Sequence, residues 1–166
     1  MTDLEGVIAR LNTHQVEYII VGGIAAAALG SARVTYDLDL VYSRSDANLA
    51  RLVAALGDLS PYLRGAPPGL PFRLDVETLR RGLNFTLTTS LGPVDLLGEI
   101  AGGGLYQDLV PHTLQADLFG HPCRCLGLEK LIDVKRAAGR PKDLEAIAEL
   151  TALREEAAEG RRRPGD

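Results

Sequence analysis

Two glycines, Gly22-Gly23, are separated by thirteen residues from Asp37-Leu38-Asp39. The apolar run Tyr18-Ile19-Ile20-Val21 leads into the glycines, and Leu38, Leu40 and Val41 surround the aspartates. Side chains alternate between the faces of a strand, so Asp37 and Asp39 are predicted to project the same way, about 7 Å apart. Strand interiors disfavour Asp, and two on one face repel each other unless a cation compensates. Such a pair can bracket two divalent cations, and two ions about 3.5–4 Å apart suit in-line displacement at phosphorus. The alternative is the polar face of an edge strand, with Asp37 ending a turn. The glycine pair admits a similar choice. It is a tight strand-to-helix turn, or a place where the backbone approaches a phosphate closely.

A third carboxylate would complete a two-metal site. Asp95 fits best, because Val94, Leu96 and Leu97 surround it at the start of a return strand. Asp75 and Glu77 compete, but Phe72, Leu74 and Val76 alternate with Arg73, Asp75 and Glu77 as in a half-exposed strand. Lys135 continues the helical series of Leu128, Leu131 and Ile132, so it falls on an apolar face where lysine is unusual. It either reaches a polyphosphate as a point charge or snorkels to the surface. Arg33, ahead of Thr35 and the aspartates, either pairs with phosphate or starts the strand in solvent. Asp143 clusters with Arg140 and Lys142 and suits the first turn of a helix. Cys123 and Cys125 have no second pair to complete a metal site and read as buried strand residues. His14, His112 and His121 show no ligand spacing, and no Gly-x-Ser-x-Gly elbow is present.

These residues need a scaffold. Leu4, Val7, Ile8 and Leu11 predict a helix over 3–13. Strands are predicted over 16–21 and 35–42, joined by a short alanine-rich helix over 24–29. Ser45 is a plausible cap for a helix through Leu56. Residues 57–71 hold four prolines and three glycines and read as loop. A strand over 72–76 is ambiguous. Strands over 84–89 and 94–97 flank Leu91-Gly92-Pro93 as a hairpin. Residues 101–104 read as a flexible break. Short strands follow over 113–118 and 123–126, then helices over 128–138 and 142–155, separated by Gly139-Arg140-Pro141. The expected fold is α+β (α/β-like), a small mixed sheet flanked by helices with a C-terminal helical pair. Residues 1–158 are expected to form one domain and 159–166 a disordered tail.

The 166 residues suffice for a core without covalent staples. A net charge of −4 carries no global signal for nucleic acid, so a polyanion would have to meet a local patch. No stretch matches a signal peptide or a membrane span, and the two closely spaced cysteines fit a reducing setting. The expected location is cytoplasmic.

Four segments together resemble the DNA polymerase β-type nucleotidyltransferase superfamily. They are Val21-Gly22-Gly23-Ile24-Ala25, Arg33 to Leu40, Gly92 to Leu97, and Leu128 through Lys135 to Leu144. More narrowly, they resemble its minimal members related to AbiEii and MenT toxins. The resemblance implies a nucleotidyltransferase fold in which Asp37, Asp39 and Asp95 hold Mg²⁺, two ions in all. It implies that Gly22-Gly23 seats the triphosphate of an NTP such as ATP, with Arg33, Thr35, Lys135 and Asp143 as further nucleotide-site residues. It implies transfer of a nucleoside monophosphate to a hydroxyl of tRNA or protein, with Asp95 helping to deprotonate it, and a cognate toxin or antitoxin partner. A non-catalytic nucleotide-binding or antitoxin module of the same fold is the alternative. Many members carry Gly-Ser where this chain has Gly22-Gly23, which removes one hydroxyl from the phosphate site.

Overall fold

The computed structural model describes residues 3–28 and 37–162. Arg33 and Thr35 lie outside the described residues. The chain opens with helix α1 (Leu4–Thr13), capped by Asp3, which accepts the Gly6 N–H at 3.0 Å. Val7, Ile8 and Leu11 are its buried stripe. Strand β1 (Tyr18–Val21) is buried along its whole length, as expected of a central strand covered on both faces. Helix α2 (Gly22–Ala28) begins directly at the glycine pair, two residues earlier than expected. Strand β2 (Leu38–Tyr42) follows, and helix α3 (Asp46–Leu56) is capped by Ser45 as predicted.

The buried Asn48 locks these pieces together. Its Oδ1 accepts the Glu17 N–H at 2.7 Å, and its Nδ2 donates to the carbonyls of Glu17 and Ser43 at 3.0 and 2.8 Å. The entry of β1 and the exit of β2 are thereby pinned to α3.

Two expectations fail in the next segment. The 57–71 loop contains a short strand, β3 (Tyr62–Leu63), paired antiparallel to β4 (Asn84–Thr89). Residues 72–76 are not a strand. Helix α4 (Val76–Arg81) starts there, with Asp75 as its cap accepting the Thr78 N–H at 2.8 Å. Alternation of apolar residues gave way to the strong preference of Asp for a helix N-cap. That hydrogen bond also holds the Asp75 carboxyl below its usual range.

Strands β4 and β5 (Gly92–Leu97) form the expected hairpin. The predicted flexible break is a turn between two short strands, β6 (Glu99–Ile100) and β7 (Gly104–Leu105). Gly102 in that turn has φ +76, and a Cβ there would lie 2.6 Å from Ala137 Cβ. A helix near the C-terminus therefore rests against bare backbone. Helix α5 (Tyr106–Leu109) leads through a 3₁₀ turn to strands β8 (Thr113–Leu118) and β9 (His121–Leu126). Cys123 and Cys125 are buried on β9, and burial pushes the Cys125 thiol up to about 11.

Helix α6 (Leu128–Ala138) ends at Gly139 in the left-handed conformation. Helix α7 (Pro141–Arg162) starts at Pro141 and runs past Glu155, so residues 159–162, assigned to the tail by sequence, are helical. The sheet is seven-stranded and mixed, in the order β3-β4-β5-β2-β1-β9-β8. β2 lies antiparallel to β1 and parallel to β5, while β1 lies parallel to β9. The α+β class expected from sequence is the class observed. Among the described residues no helix is long and apolar enough to cross a membrane.

Candidate active site

Register decides which side chains meet. Asp39 on β2 stands opposite Val21 on β1 and opposite Asp95 on β5, and Asp95 stands opposite Thr86 on β4. These four residues form one row on one face of the sheet. The next row, Ile20, Leu40, Leu96 and Phe85, points the other way into the core. Two acids therefore sit side by side in the middle of a sheet because their strands run parallel in that register.

The pair is chemically tense. Burial first, then the neighbouring Asp95 by its charge and a shared hydrogen bond, raise the Asp39 carboxyl from 3.8 to about 7. The charge of Asp37 adds to the effect, and Lys135 opposes it. Asp37 is exposed and precedes the first residue of β2. The expected strand pair of Asp37 and Asp39 is thus a half-buried strand residue and an exposed residue just ahead of the strand. β1 turns into α2 right after Val21, the residue facing Asp39, so β1 offers Asp37 no ladder partner. Among the described residues no three His, Cys, Asp or Glu side chains stand as a ready-made cation cage. The donor set nevertheless suits a hard divalent cation. It is oxygen-only, half-buried, and made of acids that repel one another.

Gly22 is required by Asp39. It has φ +75, and a Cβ there would run into Asp39 Oδ2. Only glycine lets the backbone take this conformation and pass so close to the carboxylate. Gly23 lies in the first turn of α2 beside it.

Opposite the carboxylates stands the helical pair. A cleft of about 270 Å³ is lined by Val21, Gly22, Asp39, Asn84 and Leu97 from the sheet side. Residues 99–101 of the β6–β7 turn, Val134, Lys135 and Ala138 of α6, and Arg140 and Asp143 complete it. Lys135 is mostly buried, as its place in the apolar series predicts, and its Nζ donates to Asp143 Oδ1 at 3.4 Å. Asp143 is 1% exposed. It also accepts from Arg140, through Nε at 2.6 Å, Nη2 at 3.3 Å and the backbone N–H at 3.2 Å. Burial pushes the Asp143 carboxyl up, but Arg140 and Lys135 outweigh it and leave the group below its usual range. Asp143 is thus both the helix-start acid that the sequence predicts and a clamp holding two cations on the cleft wall.

Two arginines escaped sequence reasoning. Arg140 looked like part of a helix junction, yet it lines the cleft. Arg64 follows β3 in the Pro- and Gly-rich loop and reaches Asp95, with Nη2 2.8 Å from Oδ1. Its only advance signal was its position between two strands of a sheet edge, which required β3 to be recognised. The structure places Gly22, Asp39, Lys135 and Asp143 along this cleft, with Asp95 next to Asp39 in the sheet. Asp75 caps α4 instead.

No protein-family model matches this chain, and no curated protein matches it by sequence. Solved structures do match by shape. A lincosamide antibiotic adenylyltransferase, LnuA, in its lincomycin-bound form superposes with a TM-score of 0.60 at 14% identity, covering 90% of this chain and 95% of that one. ANT(2″)-Ia in complex with adenylyl-2″-tobramycin gives 0.55 at 19% identity over 94% of this chain and 90% of that one. A provisionally assigned nucleotidyltransferase from Thermotoga maritima gives 0.51 at 15% identity over 94% and 91%. The fold is therefore the one these nucleotidyltransferases share.

Proposed function

We propose that this chain is an NTP-dependent nucleotidyltransferase that moves a nucleoside monophosphate onto an acceptor hydroxyl and releases pyrophosphate. One observation carries the reading. Asp39 and Asp95 are adjacent, half-buried acids, and Asp39 lines a cleft whose opposite wall presents Lys135 and Arg140. A sheet maintains such a pair at a cost in stability, and a divalent cation relieves it.

Asp39 and Asp95, with Asp37 beside them, would hold Mg²⁺, two ions in this reading. Bound Mg²⁺ supplies positive charge to the triphosphate and to the reacting oxygens. The chain's own residues do the rest. Gly22 lets backbone approach the phosphates, with Gly23 beside it. Lys135 and Arg140 attract polyphosphate, and Asp143 fixes both cations before the substrate arrives. Asp95 takes up the acceptor hydroxyl proton as the oxygen attacks the α-phosphorus and the bond to the β-phosphate breaks. Arg33 and Thr35 stay in the proposal on the strength of the resemblance.

ATP is the first nucleotide to test, because the adenylyltransferase LnuA and ANT(2″)-Ia, solved with adenylyl-2″-tobramycin, share this fold. A small polyhydroxylated molecule is the acceptor favoured by the same likeness. Arg64 pairs with Asp95, Arg80 with Asp46 and Glu77, and Arg81 with Glu77, which leaves these three arginines less available to an RNA backbone. A tRNA or protein acceptor within a toxin–antitoxin pair is the second reading, supported by the AbiEii- and MenT-like segments.

Calorimetric titration of the four NTPs, with and without Mg²⁺, tests the nucleotide site. Label transfer from α-labelled NTP to aminoglycoside-like, lincosamide-like, tRNA and protein pools then tests the acceptor. Mg²⁺-dependent binding that Asp39→Asn abolishes is the expected result. Binding of no NTP would refute the reading and leave a non-catalytic module of this fold.

A further inference from the structure

Arg64 has a role that the proposed reaction does not assign. Its backbone N–H donates to Thr86 O at 2.9 Å, extending the β3–β4 ladder by one residue. Thr86 in turn stands opposite Asp95. Arg64, Thr86, Asp95 and Asp39 are consecutive neighbours across the sheet. The Arg64 side chain is 29% exposed, and Nη2 donates both to Leu87 O at 2.6 Å and to Asp95 Oδ1 at 2.8 Å. Its Nε is buried and has no hydrogen-bond partner among the described residues. An orphaned buried N–H costs free energy, so the guanidinium is held here for the two bonds that Nη2 makes.

The loop that delivers Arg64 is itself ordered around Tyr62. Tyr62 hydroxyl bonds to Pro67 O, and its ring meets Phe72 edge-on at 6.3 Å. The side chain therefore arrives at Asp95 from a braced support.

We propose that Arg64 is a positioning residue for Asp95: it commits one carboxylate oxygen and fixes the rotamer, while its charge weakens cation binding at the Asp39–Asp95 pair. The proposal rests on the metal-dependent reading above. Its signature is a split that a merely structural residue would not produce. Removing the guanidinium takes a positive charge away from a cation site, so affinity for a bare cation rises. The freed Asp95 loses its fixed orientation, so turnover falls.

The test is Mn²⁺ titration by calorimetry, without nucleotide or acceptor, on wild type, Arg64→Met and Arg64→Lys, with thermal melts to confirm folding. Arg64→Met is expected to bind Mn²⁺ at least about threefold more tightly, and Arg64→Lys to stay near wild type because the charge remains. Where transfer is measured, kcat of Arg64→Met falls and Arg64→Lys restores part of it. Mn²⁺ affinity in a folded Arg64→Met that is unchanged or weaker overturns this role and leaves the metal reading standing. Absence of Mn²⁺ binding in wild type and both variants overturns both. Should Arg64→Met fail to fold, the Arg64 Nε–H resonance of wild type, identified by its loss in Arg64→Lys, decides. A shift on Mg²⁺ addition larger than that of Arg10 supports the role, and no shift overturns it.

Discussion

Asp39→Asn is expected to stabilise the metal-free protein at pH 8 while abolishing Mg²⁺-dependent nucleotide binding. The argument begins with the Asp39 carboxyl, raised by burial and by Asp95 from 3.8 to about 7. In the unfolded chain the group returns to its ordinary value. Below about pH 4 both states hold the proton, and the contribution of Asp39 to stability is fully present. As pH rises through 7 the folded protein must give up a proton that the unfolded chain lost earlier, and that contribution disappears. Each pH unit in the window is worth about 1.4 kcal/mol, which sets a ceiling of about 4 kcal/mol. Asp39 keeps some contact with solvent, which brings the expected effect down to on the order of 2 kcal/mol. Asn mimics the neutral acid at every pH. With EDTA present, the variant should therefore melt about 4–8 °C above wild type at pH 8, and the difference should vanish near pH 4. Differential scanning fluorimetry across pH 4–8 measures both. A variant less stable than wild type at pH 8, or a difference independent of pH, would refute the account of Asp39 as a strained acid.

Four other outcomes follow from the same geometry. Gly22→Ala forces a left-handed φ on a residue with a Cβ and drives it into Asp39; we expect a loss of about 1–3 kcal/mol in urea unfolding and NTP binding below detection by calorimetry. Lys135→Ala should weaken ATP affinity at least tenfold while shifting the melting temperature little, since Arg140 still neutralises Asp143; equal ATP affinity in both proteins would place Lys135 outside the site. Asp143→Ala frees both Lys135 and Arg140 and unties the start of α7, and should cost about 1–3 kcal/mol, read by thermal melting. Cys123 and Cys125 are buried with thiols pushed upward, so native protein should react with a thiol reagent far more slowly than protein in guanidinium, and equal rates would contradict their burial.

Much of this site was legible in the sequence, and the reasons differ by residue. Asp39 and Asp95 stood out because apolar neighbours marked their strands, and a strand's period of two fixes a face without any tertiary knowledge. Lys135 was legible for the matching reason on a helix, since the series from Leu128 to Ile132 assigned its side. Asp37 was placed inside a strand over 35–42 but lies one residue ahead of β2, because strand ends are set by the partner, and β1 stops where α2 begins. The pairing of Arg64 with Asp95 was not legible. It depends on β3, two residues long inside a Pro- and Gly-rich stretch, and on contact between residues 31 positions apart. Residues 72–76 misled because a short alternation is weak evidence beside a single well-placed cap.

The buried polar groups of this chain show why the two central acids mark the site and other polar residues do not. Asn48 is fully buried, yet its amide makes three hydrogen bonds to backbone that join β1, β2 and α3. It is structural, and nothing about it calls for a ligand. Asp143 is equally hidden, but Lys135 and Arg140 balance its charge. Asp39 differs from both. Its nearest titratable partner across the ladder is another acid, and Lys135 is the smallest influence on it. Folding alone gains nothing from that arrangement, since an apolar residue at position 39 would pack beside Val21 without repulsion. Gly22 adds to the same case, because its backbone takes a positive φ that side chains rarely adopt and a Cβ there would run into the carboxylate. Two local costs that converge on one side chain, in a cleft whose far wall is cationic, are what the proposed site for a cation and a polyphosphate would require.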